Sequence, residues 1–180
     1  MQNSVKKWQT AGFIFTSVLG VILHFLFEWS GQNPIIASFS AVNESIWEHM
    51  KILFFPMALF ALLESRYVQK AHKDFWCAKL TGIILGIVLI PALYYTVLGM
   101  FGKSPDFINI AIFFVVAAIV YTVETALLGA ENTDCRAPRL ARLLIPALAV
   151  LFMVFTFYTP QIPLFRDPIS GTYGYQHAAK

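Results

Sequence analysis

The residues best suited to chemistry lie in the segment SAVNESIWEHMK, residues 40–51, and at the end of the apolar run before it. They are histidines and carboxylates, which are ordinary zinc ligands and can also act as general bases. In a membrane segment such groups are costly and usually face the bundle interior or a wet cavity. The sequence therefore predicts a ligand-binding site built from His24, Glu28, Asn43, Glu44, Ser45, Glu48 and His49.

A divalent metal such as zinc is the cofactor that this set would suit, with His24, His49 and Glu48 as its ligands. The spacing matches no specific zinc motif, such as two histidines four residues apart around a glutamate. The metal is thus compatible with the sequence and is not required by it. If the site were hydrolytic, Glu48 or Glu44 would act as the base toward a bound water.

The carboxylates also have a structural explanation. Asn43 or Ser45 can cap the start of a helix, and Ser45 with Glu48 fits a capping box. Acidic groups in a first turn also suit the helix dipole, by about 0.3–1 kcal/mol. Capping does not require His49 and does not explain His24. The expectation of a functional site therefore depends on the two histidines sharing a cavity.

The composition indicates a membrane protein. Of the 180 residues 58% are hydrophobic and 13% are charged, whereas a soluble domain carries about 25% charged residues. Spanning hydrocarbon takes roughly 17–25 residues of helix, and the apolar runs lack the alternation of barrel strands. The sequence predicts an all-α bundle in residues 1–159, with transmembrane helices at about 8–28, 44–66, 76–100, 107–129 and 139–159.

The distribution of Lys and Arg predicts the orientation. These residues concentrate at the N-terminus and after the second and fourth helices: Lys6, Lys7, Arg66, Lys70, Lys73, Arg136, Arg139 and Arg142. The positive-inside rule then places the N-terminus in the cytoplasm and the C-terminus outside. Cys77 and Cys135 would both lie on the cytoplasmic side, where thiols stay reduced, so no disulfide is expected.

Two further carboxylates form a predicted secondary polar site toward the inner ends of their helices. They are Glu64 on the second helix and Glu124 on the fourth. Glu124 is expected to pair with Arg66, Arg139 or Arg142. The alternative is a proton-carrying carboxylate.

The C-terminal tail, residues 160–180, contains three prolines and the turn-like sequence DPISG. The orientation makes it extracytoplasmic. Two interpretations stay open: a lid over the outer polar cluster, formed with Arg166, Tyr173 and Tyr175, or a disordered tail.

The block HFLFEWSGQNPIIASFSAVNESIWEHMKILFFP, residues 24–56, resembles the signature of a family of small bacterial integral membrane proteins of unknown function. The resemblance implies a five-helix, multi-pass protein of a bacterial cell membrane. It implies no activity.

Three functions are consistent with these features. The first is binding or transport of a cation or small polar solute in an outward-facing cavity between the first two helices. The second is a metal-assisted hydrolase acting on a lipid-linked ligand at the outer leaflet, and the third is a structural subunit of a membrane complex. The expected partners are the bilayer and a second copy or another membrane protein. Nucleic acid is not expected, because the net charge of +3 comes from membrane anchors.

Overall fold

The computed structural model describes residues 2–70, 72–102, 104–130, 135 and 137–176. Arg136 and the last four residues of the tail therefore lie outside the described residues. The described helices are α1 (Gln2–Trp29), α2 (Pro34–Ala37), α3 (Ile46–Val68), α4 (Phe75–Phe101), α5 (Asp106–Gly129) and α6 (Pro138–Phe157), followed by a 3₁₀ turn at Pro163–Phe165.

The predicted all-α class and the five long helices are confirmed. Within the described residues, α1, α3, α4, α5 and α6 are each long and apolar enough to cross a membrane. The short helix α2 was not predicted. Its single turn lies in the connection from α1 to α3, where Asn33 caps it by accepting from the Ile35 amide at 2.9 Å.

The bundle has an apolar exterior and charged groups inside. Val18, Val88 and Val150 are each more than half exposed. In contrast, several ionisable side chains are at most 2% exposed: Glu48, Lys51, Glu64, Lys79 and Glu124. This arrangement suits helices that face hydrocarbon, where charged groups are stable only when paired within the bundle.

Helix α3 lies at the centre of the bundle and packs against α1 and α4, with further contacts to α5 and α6. Its first turn is held by aromatic packing, since the Trp47 ring lies 4.6 Å from the ring of Phe152 on α6 and 4.5 Å from that of Phe165. The polar residues on the inward side of α3, namely Glu48, Lys51 and Glu64, are buried and must find partners in the protein.

The two ends of the bundle differ. We call the end with His24 and His49 the histidine end, and the end with Cys77 and Cys135 the disulfide end. The expectation of free thiols is wrong for this structure, because Cys77 and Cys135 form a disulfide. Cys77 lies in the first turn of α4 and Cys135 shortly before α6, and these two helices pack together. The expectation of free thiols came from placing both cysteines in the cytoplasm. That placement says nothing about whether Cys77 and Cys135 are close in space.

The described part of the tail, residues 160–176, folds onto the histidine end. Asp167 shapes its turn by accepting from the Ile169 amide at 2.8 Å and from the Ser170 hydroxyl at 2.7 Å. Further along, the Tyr175 amide donates to the Thr156 carbonyl at 2.8 Å. The Tyr175 ring contacts the ring of Phe27, with centroids 5.9 Å apart. Residues 160–176 thus pack on the histidine end, and the lid over the polar cluster stays a prediction.

Candidate metal centre

His24, Glu44 and His49 converge at the histidine end. The carboxylate of Glu44 lies between the two rings, with Oε1 3.4 Å from His24 Nε2 and Oε2 3.7 Å from His49 Nε2. The ring centroids of the two histidines are 5.6 Å apart. We call these three residues the His/Glu cluster. They are the one group of three or more metal-ligating residues found among the described residues.

Local sequence fixes Glu44 beside the start of α3. Ser45 has extended backbone angles (φ −70°, ψ 156°) and is the N-cap, its hydroxyl accepting from the Glu48 amide at 3.4 Å. Just before it, Asn43 Oδ1 accepts from the Ser45 amide at 2.9 Å, which forms an Asx-type turn. Glu44 is enclosed between these two local hydrogen bonds and therefore has a defined position.

The connection from α2 to α3 is also tied to α1. The Ala41 amide donates to the Leu23 carbonyl at 3.1 Å, immediately before His24. This contact holds the loop that carries Glu44 against the helix that carries His24. Three separate segments, namely α1, the loop and the first turn of α3, thus supply one cluster residue each.

The orientation of His49 suits it to bind a ligand through Nε2. Its Nδ1 lies 2.9 Å from the Ser45 carbonyl oxygen. A carbonyl can only accept, so Nδ1 must carry the hydrogen in this contact. In the neutral ring Nε2 then keeps its lone pair, and Nε2 is the nitrogen that faces Glu44. Metal-bound histidines commonly have such a hydrogen bond on the second nitrogen.

The dimensions of the cluster fit a small divalent metal. One ligand atom from each residue lies within 4.8 Å of the others. Zinc bonds of about 2.0–2.2 Å in a tetrahedron place ligand atoms roughly 3.4 Å apart. His24 Nε2 lies 3.4 Å from Glu44 Oε1 and His49 Nε2 lies 3.7 Å from Glu44 Oε2, so each histidine is near that spacing from a different carboxylate oxygen. Two imidazoles and one carboxylate are also a ligand set that zinc uses when it keeps a fourth position open.

The cluster opens into a cavity of about 340 Å³ between α1, α3 and α5. The cluster side chains are partly exposed, at 24% for His24, 14% for His49 and 42% for Glu44. Asn109 adds one amide to the lining. The remainder is mainly apolar and includes Val21, Phe25, Ile52, Ile110, Phe113 and Phe114. A ligand in this cavity would therefore meet one polar end and several apolar walls.

The tail reaches the mouth of this cavity. Ile169 is part of the lining although it is 75% exposed, so it lies at the rim. The tail is joined to the cluster loop by Asn43, whose Nδ2 donates to the Gly174 carbonyl at 3.3 Å. Asn43 thus links the tail to the turn that positions Glu44.

Glu48 lies outside the cluster, in a separate buried network. Its carboxylate forms an ion pair with Lys51 at 2.5 Å and accepts from the Val42 amide at 3.1 Å. Lys51 also donates to the Ala37 carbonyl at 2.9 Å and to the Thr156 hydroxyl at 2.8 Å. All three ammonium hydrogens therefore have acceptors. The structure places Glu44, and not Glu48, beside the two histidines.

The remaining predicted site residues lie elsewhere. Glu28 is exposed on α1, one turn beyond His24, and has no part in the cluster. Glu64 and Glu124 both lie toward the disulfide end and both pair with Lys79, at 2.5 and 2.6 Å. From the sequence, an arginine was expected as the partner of Glu124.

Sequence reasoning missed Lys79 as a buried residue because it follows a basic loop and resembles a membrane anchor. Lys51 ends the segment SAVNESIWEHMK and was not predicted as a site residue. Both lysines lie within long apolar helices, where a charged residue usually has a buried partner. That position is the feature of the sequence that could have identified them.

The fold and the His/Glu cluster together define a multi-pass α-helical membrane protein with a polar site at one end of its bundle. The chain belongs to the family of unknown function DUF6512, whose model matches residues 1–175. This membership confirms the resemblance to a family of unknown function indicated by residues 24–56. No curated protein and no solved structure is significantly similar to the chain.

Proposed function

We propose that this integral membrane protein binds a divalent transition-metal ion of the zinc class at the histidine end. The observation that carries the proposal is the convergence of His24, Glu44 and His49 within 4.8 Å. The hydrogen bond from His49 Nδ1 to Ser45 supports it further, because it leaves Nε2 free to bind the ion.

Binding is favoured over passage through the bundle by the packing beneath the cluster. Gly20 lies one turn below His24 on α1, and the Phe113 ring of α5 fills the space where a side chain would begin. An ion at the cluster would therefore meet an aromatic ring on its inner side. The proposed role is that of a metal-dependent receptor or binding subunit.

The orientation proposed for this role places the histidine end outside a bacterial plasma membrane and the N-terminus in the cytoplasm. It is supported by the Lys and Arg residues at the opposite end, including Lys6, Lys7 and Arg66. In that orientation the cluster would sample extracytoplasmic metal. The Cys77–Cys135 disulfide would lie on the cytoplasmic side, which runs against this orientation, because thiols there stay reduced.

The test is zinc titration of purified, metal-stripped protein in lipid nanodiscs, by calorimetry and by elemental analysis of the desalted product. Wild type should bind one zinc per chain. His24→Ala, Glu44→Gln and His49→Ala should each weaken binding at least tenfold. Glu28→Gln and His72→Ala are matched controls that keep wild-type affinity, because neither residue belongs to the cluster.

Two results would count against the proposal. Wild-type protein that binds no zinc would refute it, and so would equal affinities for wild type and His49→Ala. If neither histidine affected binding but both alanine variants lowered the unfolding temperature, the cluster would serve helix association. That result would favour the structural-subunit alternative.

A metal-assisted hydrolase acting at the outer leaflet is the second candidate. The mainly apolar lining of the 340 Å³ cavity favours it, because an amphipathic substrate could place its chain there and its polar group at the metal. In this function His24 and His49 would hold the metal, and Glu44 would act as the base instead of a ligand, because Glu48 is paired with Lys51. Zinc-dependent cleavage of a micellar fluorogenic ester, lost in His49→Ala, would support this function.

A further inference from the structure

A second polar site lies at the disulfide end and is independent of the proposed metal centre. Glu64 of α3, Lys79 of α4 and Glu124 of α5 meet there, and each is at most 2% exposed. The Lys79 ammonium lies 2.5 Å from Glu64 Oε2 and 2.6 Å from Glu124 Oε2. We call these three residues the buried triad.

Gln9 of α1 completes the contacts of the triad. Its Nε2 donates to Glu64 Oε1 at 2.7 Å, and its Oε1 accepts from Lys79 at 3.3 Å. The three ammonium hydrogens of Lys79 are therefore directed to Glu64, Glu124 and Gln9. Lysine has no further hydrogen to donate.

Two carboxylate oxygens of the triad, Glu64 Oε2 and Glu124 Oε1, are buried without a hydrogen-bond partner among the described residues. Glu64 Oε2 still lies in the ion pair with Lys79. Glu124 Oε1 has no ion-pair partner either among the described residues. It points at Gly82 of α4, where a Cβ atom would overlap it. The glycine thus leaves space in α4 for this carboxyl group, which indicates a site built around it.

The charges of the triad do not balance. Two glutamates and one lysine sum to −2 + 1 = −1 when all three are ionised. Among the described residues, Lys79 is the one cation within ion-pair distance of either carboxylate. An uncompensated charge buried in a membrane bundle costs several kcal/mol, and one proton would remove it.

The other groups that face the triad form no ion pair with its carboxylates among the described residues. Tyr121 of α5 faces Lys79 with its ring, 5.6 Å from the ammonium, and its hydroxyl is hydrogen-bonded to Thr16 of α1 at 2.7 Å. Phe75 of α4 also faces Lys79, again at 5.6 Å. His72, which follows α3, interacts electrostatically with Glu64. On α6, Arg142 lies over the Trp76 ring, at 5.2 Å.

A crevice of about 570 Å³ between α1 and α5 leads toward the triad. Gln9 and Tyr121 line it, and both also contact the triad. Lys6, Thr10, Thr122 and Thr125 supply further polar groups along it. The triad residues themselves do not line the crevice. Gln9 connects the two, because it lines the crevice and hydrogen-bonds both Glu64 and Lys79.

We propose that the buried triad is a proton-binding site, in which Glu124 takes up and releases one proton at Oε1 through the α1–α5 crevice. Uptake forms one O–H bond on Glu124 and converts the carboxylate to a neutral acid. The proton comes from a hydronium ion in the crevice, which becomes a water molecule. Lys79 stays paired with Glu64 throughout. The site therefore cycles between net charges of 0 and −1.

The test is infrared spectroscopy of the full-length protein in lipid nanodiscs, which separates the C=O stretch of a carboxylic acid from the carboxylate bands. Wild type at neutral pH should show a signal equivalent to one carboxylic acid per chain, shifted in D₂O. Glu124→Gln should abolish it. Glu28→Gln should retain it, because Glu28 is exposed and remote from the triad.

Each alternative outcome is decisive. Absence of the carboxylic-acid signal in wild type overturns the proposal, and so does its persistence in Glu124→Gln. Failure of Glu124→Gln to fold also overturns it, because the amide would replace a neutral acid of the same shape. Raising the pH should remove the carboxylic-acid signal of wild type and release one proton per chain. Adding zinc should not change the pH at which the signal is lost.

Discussion

Replacing Lys51 by methionine should strongly destabilise the protein. Methionine keeps most of the side-chain volume but removes the ammonium group, which contacts Glu48, Ala37 and Thr156. Glu48 is 1% exposed and would keep the Val42 amide as its remaining described donor. The substitution thus leaves a buried carboxylate without its counter-charge.

The size of the effect follows from what remains buried. Removing one partner of a buried ion pair costs about 3–5 kcal/mol, whereas replacing both by apolar groups is often neutral. Thr156→Val removes the hydrogen bond from Lys51 and the weaker one that the hydroxyl donates to the Phe152 carbonyl. Losing the hydrogen bond to a charged group should cost about 1.5–3 kcal/mol. The expected order of destabilisation is therefore Lys51→Met, then Thr156→Val, then the double variant Glu48→Leu/Lys51→Met.

The assay is equilibrium unfolding in mixed detergent micelles, followed by circular dichroism, with a double-mutant cycle over Glu48 and Lys51. The network would be contradicted if the free-energy costs of the two single substitutions simply added in the double variant. It would also be contradicted if Lys51→Met lowered the free energy of unfolding by less than about 1 kcal/mol. The double variant should also bind one zinc per chain, because Glu48 does not contact the His/Glu cluster. If the double variant folded but bound no zinc, Glu48 would have to belong to the metal site.

Three shorter predictions test other contacts. Gly82→Ala should destabilise by about 1–3 kcal/mol, because the new methyl group overlaps Glu124, and Glu124→Ala should relieve most of that cost in unfolding assays. Tyr121→Phe should cost about 1–3 kcal/mol by leaving the Thr16 hydroxyl unpaired, and adding Thr16→Val should cost little more. Cys77→Ser should make the partner thiol reactive to maleimide without reductant, whereas oxidised wild type should react only after reduction.

The sequence was sufficient for those features that depend on composition or on local hydrogen bonds. Apolar length alone identified the five spanning helices. The N-cap at Ser45 followed from a serine placed before an apolar helix with Glu48 three residues later. The capping box is only half formed, because Glu48 bonds Val42 instead of the Ser45 amide. This difference depends on the loop after α2, which no local pattern specifies.

The sequence was insufficient where the rotation of one helix against another decides the partner. Glu124 could reach a cation on any neighbouring helix, and periodicity does not say which side of α4 faces α5. The sequence therefore did not distinguish Lys79 from the lysines of the loop before α4. In the structure Lys79 lies within α4 and is 2% exposed. The pairing of Cys77 with Cys135 has the same origin, since it depends on how α4 packs on α6.

Helix α1 shows how small changes in helical phase decide which residues join a site. Its inward face carries Gln9 at the triad, Thr16 at Tyr121 and His24 at the metal centre. Four-residue steps advance about 40° beyond a full turn. Two such steps separate Thr16 from His24, and both residues still face the interior of the bundle after that rotation.

A further step turns Glu28 out of the bundle, where it is exposed. Glycines interrupt the same face at Gly12 and Gly20, and aromatic rings of the neighbouring helices fill both gaps. The polar contacts of α1 are therefore separated by apolar packing. A metal at His24 and a proton at Glu124 would consequently bind independently, and zinc affinity should be unchanged in Glu124→Gln.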